Sequence, residues 1–275
     1  MGTQLLDVPA PGEVSSFSKS DLNSIELLSE RARTGSLGWA GPWLVLTGRS
    51  VLIIAAQALT TCFLWLRSRS WSWNAAAKWW TVYGTLVDIG CLILMAAYTR
   101  KEGIRLRDLI GPVRLRWGRD LLFGIGLFVL VFPFFILGAA SATRIVYGSG
   151  QPPSLAGLAD ARVLPLWGVI YSFSVWWLIW SPTEEMTYRG YAFPRFEVLC
   201  RNRAGAIGLV SFCWTLQHVF LPFILDWKLV LWRFLTFLPG VVLLLLPSLK
   251  VRHLGPFVFA HWPMDIVAVL MTLKF

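Results

Sequence analysis

Charged residues are scarce in this sequence. Asp, Glu, Lys and Arg make up 15% of the 275 residues, whereas hydrophobic residues make up 56%. Soluble globular domains carry about 25% charged residues, so an ordinary water-soluble domain is excluded. Apolar stretches of about 20 residues, the length that crosses a bilayer as a helix, recur along most of the chain. The sequence therefore predicts an all-α protein, a polytopic transmembrane helical bundle in the cell membrane.

Cysteine and histidine are also rare. The four cysteines are scattered without a CxxC pair, and three of them lie in apolar stretches. Cysteines in such positions usually act as small, buried apolar side chains. Their scatter argues against a disulfide scaffold or a cysteine-based metal site. Of the three histidines, His253 lies in a basic loop, whereas His218 and His261 lie within apolar stretches.

The positive charge of the chain has a distribution that argues against nucleic-acid binding. Although the net charge is +10, seven of the 25 basic residues lie in one loop, residues 99–120, between two apolar stretches. Basic residues beside membrane spans follow the positive-inside rule and attract anionic lipids. Loops on one side of the predicted bundle carry 16 Lys and Arg residues against seven on the other, which predicts a cytoplasmic N-terminus.

Seven membrane spans are predicted, with eight as the alternative. Residues 1–42 form a polar N-terminal segment, in which residues 18–33 can form one short amphipathic helix capped by Ser20 or Asp21. Residues 43–275 form one membrane domain. Its spans are residues 43–66, 79–98, 121–145, 163–188, 204–225, 229–248 and 254–273.

Two adjacent carboxylates, Glu184 and Glu185, follow the uncharged stretch 163–180. A charged side chain at the centre of a bilayer costs about 2.5–3.5 kcal/mol on insertion scales, so an ionisable residue there indicates a functional site. Residues four apart share a helix face, so Glu185 and Arg189 can pair and form a structural clamp. Glu184 points about 100° away and has no basic residue one turn further along, which leaves it available for catalysis.

The two histidines within spans have potential partners one helical turn away. Trp214 precedes His218 by four residues and can pack against its ring, and His261 and Asp265 can share a helix face. Pro263 lies between His261 and Asp265 and predicts a kink or a helix start there. If the chain turns near Arg201, Glu184 and His218 each lie 17 residues from that turn, and antiparallel helices would hold them at one depth.

Three further ionisable residues, Arg49, Asp88 and Arg233, lie within predicted spans. Asp88 is either a structural residue, paired with a partner such as Arg49, or a functional one. Arg233 is expected to pair, or to extend its charged end to the membrane surface.

These residues together resemble the CPBP intramembrane protease family, which includes the CAAX prenyl endopeptidases and the bacterial Abi-type proteins. The family pattern is EExxxR in one helix, FxxxH in the next, and a later HxxxN or HxxxD. The sequence has EEMTYR at 184–189, WTLQH at 214–218 with Trp in place of Phe, and HWPMD at 261–265. The resemblance covers roughly residues 120–275, the expected catalytic core, and the first two spans are variable additions.

The resemblance implies an intramembrane endopeptidase with four catalytic residues, Glu184, His218, His261 and Asp265. Glu184, helped by His218, would activate a water molecule for attack on a peptide carbonyl. His261 and Asp265 would stabilise the oxyanion or orient the group that does so. Glu185, Arg189 and Trp214 would support the site. The expected partners are a peptide or protein substrate, lipidated or anchored in the membrane, and membrane lipids.

Cofactor use and function class each have an alternative. A mechanism without a cofactor is favoured because the sequence lacks HExxH; with zinc, the ligands would be Glu184, His218 and His261. Intramembrane acids and histidines also serve proton movement, so a transporter or proton-relay protein is one alternative to a protease. A non-catalytic immunity or scaffold protein on the same fold is another.

Overall fold

The structure, a computed structural model, describes residues 21–69, 71–112, 117–148 and 164–273. Throughout these residues the chain is helical and forms no β-strand, which confirms the predicted all-α membrane bundle. The α-helices are α1 (Ile25–Arg33), α2 (Ala40–Ser68), α3 (Trp73–Ala77), α4 (Trp80–Lys101), α5 (Trp117–Tyr147), α6 (Leu166–Tyr171), α7 (Trp177–Glu185), α8 (Phe193–Cys200), α9 (Arg203–Phe220), α10 (Trp227–Leu245) and α11 (Gly255–Thr272). Leu106–Ile110 and Leu246–Leu249 are 3₁₀-helical, and Ser172–Trp176 and Met186–Ala192 are π-helical.

Five helices in the described residues are long and apolar enough to cross a membrane. They are α2, α4, α5, α10 with its 3₁₀ extension to Leu249, and α11. The predicted fourth span corresponds to shorter helical pieces from Leu166 onward, and the predicted fifth span to α9; neither reaches the same length and apolarity. Both regions are nevertheless helical and carry ionisable residues, so the count of seven spans stays a prediction.

The N-terminal helix begins later than predicted. Its cap is Ser24, whose hydroxyl accepts a hydrogen bond from the Leu27 N–H, and not Asp21. Asp21 instead accepts the N–H of Asn23 and forms a turn before the helix. The other predicted cap, Ser20, lies outside the described residues. The Asn23 amide donates to the Gly190 carbonyl at 2.7 Å, which ties the described part of this segment to the membrane domain.

Glycines allow α5 and α10 to pack closely. A Cβ atom on Gly138 would lie 2.4 Å from the Thr236 carbonyl oxygen, and one on Gly240 would lie 2.3 Å from the Phe135 ring. Small residues at such contacts let membrane helices approach, because lipid provides no hydrophobic driving force between helices. Helix α5 also packs along α11, and α10 packs along α9. Helix α7 packs against α11 on one side and α4 on another.

The chain from Leu166 to Cys200 is helical but changes its hydrogen-bonding pattern twice. A π-helical segment precedes α7, and a second follows it directly after Glu185. Such segments are frequent at functional sites. The helical stretch ends at Arg201, which adopts a left-handed conformation with φ 50°. Asn202 then caps α9 by accepting the Gly205 N–H at 3.1 Å, so the turn lies where the sequence predicted it.

Candidate active site

The Glu185 carboxylate connects α7 to two other helices. One oxygen accepts a hydrogen bond from the Arg189 guanidinium, and the other lies 2.8 Å from Nδ1 of His261 on α11. Arg189 also donates to the Leu244 carbonyl of α10 at 2.6 Å. Its guanidinium lies over the rings of Phe257 and Trp214, at 4.3 and 4.6 Å from their centroids. Glu185 and Arg189 therefore hold α7, α10 and α11 together.

The Glu184 carboxylate faces away from this clamp and is fully buried. Its Oε1 atom accepts a hydrogen bond from the Trp214 indole N–H. The same oxygen lies 3.6 Å from Nε2 of His218 and 3.8 Å from Nε2 of His261. Both separations exceed a direct hydrogen bond, and one water molecule can bridge polar atoms across such gaps. One carboxylate oxygen and two imidazole nitrogens therefore surround a single position.

His218 is the most accessible member of this group. Its side chain is 20% exposed, against 5% for His261 and 0% for Glu184. Its ring stacks on Phe237 of α10 with centroids 4.4 Å apart and planes 6° apart. Since stacking fixes the plane of the ring, Nε2 is held toward Glu184. The site is therefore least buried on the His218 side.

The third motif lies within a continuous helix, because α11 begins at Gly255 and runs through Pro263. Of the two alternatives predicted at Pro263, the helix start is therefore wrong, and the kink stays a prediction. His261 and Asp265 are both buried, and Asp265 Oδ1 lies 3.7 Å from His261 Nε2. The other Asp265 oxygen accepts a hydrogen bond from the Ser181 hydroxyl on α7. Sequence reasoning missed Ser181, although it lies one turn before Glu185.

The protonation pattern of His261 follows from its partners. Glu185 is the natural acceptor, so Nδ1 of His261 carries a proton. The other nitrogen, Nε2, faces both Glu184 and Asp265. It donates a hydrogen bond when the ring carries both protons and accepts one otherwise. Nε2 is thus the atom that faces the water position.

Asp88 has the partner that the sequence suggested. Arg49 Nη2 donates to Asp88 Oδ1 at 3.0 Å, and both side chains are fully buried. The same nitrogen lies 3.8 Å from Glu184 Oε2, a contact that sequence reasoning did not predict. Arg233 pairs with backbone, since it donates to the carbonyl of Val219 in the last turn of α9 and to the carbonyls of Leu221 and Pro222 just after that helix.

The residues expected to bind zinc, if zinc takes part, were Glu184, His218 and His261. Among the residues that the structure describes, no group of three or more His, Cys, Asp or Glu side chains has an arrangement that could hold a metal ion. The Glu184 oxygen that faces the two imidazoles also accepts the Trp214 N–H, which leaves it one further acceptor position. As placed, these residues do not form a metal centre.

The fold and this cluster define a helical membrane protein with a buried carboxylate–imidazole centre. Residues 165–267 match the family model described as type II CAAX prenyl endopeptidase Rce1-like. The match spans all three motifs and confirms the resemblance to the CPBP and CAAX protease family over these residues. No curated protein and no solved structure matches the chain significantly. Helices α2, α4 and α5 lie outside the matched range.

Proposed function

We propose that this protein is an intramembrane endopeptidase that hydrolyses a peptide bond near the membrane with a water molecule activated by Glu184. The observation that supports this most directly is that Glu184 Oε1 lies within 4 Å of both His218 Nε2 and His261 Nε2. A general base must be within reach of its proton, directly or through one water, and this geometry meets that requirement. The family match supports a protease as the class.

In the first step, a water molecule lies between Glu184 and His218 with its oxygen toward the substrate carbonyl. Glu184 takes a proton as the water oxygen bonds to the carbonyl carbon, and the C=O π electrons move to the carbonyl oxygen. His218 hydrogen-bonds the water and orients it. The Trp214 N–H fixes the Glu184 oxygen that receives the proton.

In the second step, the tetrahedral intermediate breaks down. His261 Nε2 donates to the oxyanion when the ring is doubly protonated, and Asp265 and Glu185 hold the ring in place. The proton on Glu184 passes to the leaving nitrogen, the C–N bond breaks, and the carbonyl re-forms. Glu184 returns to its carboxylate form, so no covalent enzyme intermediate is needed.

The substrate we propose is a lipidated or membrane-anchored peptide. The name of the matched family denotes a prenyl endopeptidase of C-terminal CAAX sequences, in which the cysteine, fourth from the C-terminus, carries the prenyl group. A site buried among apolar helices and accessible beside His218 suits a peptide that the bilayer already holds. A sorting tail of a surface protein or a bacteriocin-related peptide would have the same property.

The proposed function is tested with the purified full chain in liposomes. The probe is a farnesylated peptide ending in a CAAX sequence, with the same peptide lacking farnesyl for comparison, and products are read by mass spectrometry. We expect cleavage of the farnesylated peptide by the wild type and none by Glu184→Ala. Absence of wild-type cleavage, or equal cleavage by Glu184→Ala, contradicts the proposal.

A proton relay would instead lose proton flux in Glu184→Ala, and a scaffold would lose nothing.

Replacing Trp214 by Phe should lower kcat about 10- to 100-fold, since a hydrogen bond to a charged group contributes about 1.5–3 kcal/mol. Phe retains an aromatic ring where Trp214 stacks on Tyr188, with centroids 4.7 Å apart, but removes the N–H that reaches Glu184. The matched control is Trp176→Phe, because the buried Trp176 indole N–H has no hydrogen-bond partner among the described residues. An unchanged kcat in Trp214→Phe would show that this hydrogen bond is dispensable.

A further inference from the structure

The Arg49 guanidinium lies beside the candidate catalytic carboxylate but comes from a helix outside the matched range. Arg49 belongs to α2 and is fully buried. Its Nη2 atom lies 3.8 Å from Glu184 Oε2, which has no hydrogen-bond partner among the described residues. The Trp214 N–H bonds the other oxygen, Oε1. Glu184 is therefore held between an N–H on one oxygen and a cation near the other.

Three helices fix the position of the Arg49 guanidinium. Asp88 on α4 accepts from Nη2 at 3.0 Å, and the Gln217 side-chain oxygen on α9 accepts from Nε. The guanidinium carbon lies 4.0 Å from the ring centroid of Trp180 on α7. The Tyr188 hydroxyl donates to the same Gln217 oxygen at 3.1 Å. A planar guanidinium with this many directional contacts has little freedom to move relative to Glu184.

We propose that Arg49, which Asp88 and Gln217 hold in place, is a positioning residue. It keeps Glu184 negatively charged and oriented to take a proton from the attacking water molecule. This inference rests on the proposed function. It also assigns a role to α2 and α4, which the family match does not cover. These helices supply an ion pair beside Glu184 Oε2, whereas the two imidazoles lie beside Oε1. Since Gln217 precedes His218 directly, the same contact ties the His218 backbone to the carboxylate that His218 faces.

The decisive variant replaces both members of the ion pair, Arg49→Met with Asp88→Leu. Removing one member alone would leave a buried charge without a partner and destabilise the protein, whereas replacing the pair with apolar residues is often tolerated. A merely structural role would therefore leave kcat unchanged in the double variant. A positioning role would lower kcat about 10- to 100-fold and change KM less than about threefold, because substrate binding does not depend on Arg49.

Arg49→Lys is the second variant. Lysine keeps the positive charge for Asp88 but lacks the planar fork that reaches Asp88 and Gln217 together, so we expect kcat to fall about 3- to 10-fold, between the wild type and the double variant. This substitution retains a charged partner for Asp88 and tests the inference if the double variant is not monodisperse. Wild-type kcat in either monodisperse variant overturns the inference.

The matched control is a second buried ion pair that lies away from Glu184. Arg195 on α8 donates to both oxygens of Glu102, at distances down to 2.5 Å, and neither residue contacts Glu184. Arg195→Met with Glu102→Leu should leave kcat per folded molecule unchanged. All variants are compared on the farnesylated peptide in liposomes after size-exclusion chromatography. An inactive Glu184→Gln beside a fully active double variant refutes this inference alone, whereas equal rates for wild type and Glu184→Gln refute the proposed function.

Discussion

Glu184→Gln should lower kcat for peptide hydrolysis by about 10²- to 10⁴-fold, the contribution usual for a positioned general base. Gln has nearly the same shape as Glu, and its amide oxygen can still accept the Trp214 N–H. It cannot take a proton from water. Arg49 keeps its partner Asp88, so no buried charge is left unpaired. The fold should therefore survive while the chemistry stops, and single-turnover cleavage of the farnesylated peptide measures the loss.

The control for this variant is Glu197→Gln. Glu197 pairs with Arg203, whose side chain is 63% exposed, and lies in the helix before the Arg201 turn, away from the two imidazoles. Its activity should match the wild type. Tryptophan fluorescence during thermal unfolding in detergent should give the same midpoint for wild type and Glu184→Gln. Turnover by Glu184→Gln within tenfold of the wild type would refute the assigned role of this carboxylate.

Arg189→Met should destabilise the protein by about 3–5 kcal/mol, because removing one member of a buried ion pair leaves a buried charge without its partner. Glu185 and the Arg189 guanidinium are both buried, and among the described residues only His261 also lies within salt-bridge distance of Glu185. The variant also frees the Leu244 carbonyl and removes the cation packed on Trp214 and Phe257. Denaturant unfolding in detergent measures the change.

The double variant Glu185→Leu with Arg189→Met separates stability from catalysis. It removes both charges, so most of the lost stability should return. Activity should stay low, because His261 Nδ1 loses the carboxylate that orients its ring. Arg203→Met, which breaks the exposed pair with Glu197, is the control and should cost less than about 1 kcal/mol. Recovery of wild-type kcat in the double variant would show that Glu185 has no part in placing His261.

Predictions from the sequence succeeded where a contact depends on one helix or one turn. Glu185 and Arg189 pair because four residues separate them along a continuous helical path, and the turn lies at Arg201. The resemblance to a protease family was also accessible from sequence, because the motifs that carry it are short patterns of this local kind. Ser24 was missed as a cap because Asp21, three residues earlier, has the same capping chemistry and forms a turn instead.

Contacts between distant parts of the chain could be predicted only in part from the sequence. Asp88 was matched with Arg49 because buried charges require partners, but the approach of Arg49 to Glu184 joins residues far apart in sequence. The hydrogen bond from Ser181 to Asp265 likewise depends on how α7 packs against α11. The π-helical segments beside α7 cannot be predicted from the hydrophobic pattern, because they change the hydrogen bonding of the backbone without changing the apolarity of the sequence.

The amino-acid sequence by itself determined that the chain forms apolar helices and which of them carry acids, histidines and arginines. Helix formation and burial in lipid follow from composition and spacing over about 20 residues, and these are properties of a local segment. Only the tertiary structure decided that one oxygen of Glu184 faces two imidazoles while the other faces Arg49. The direction in which each oxygen faces depends on how neighbouring helices rotate and pack against one another. Close contacts such as those at Gly138 and Gly240, where a Cβ atom would not fit, fix that packing.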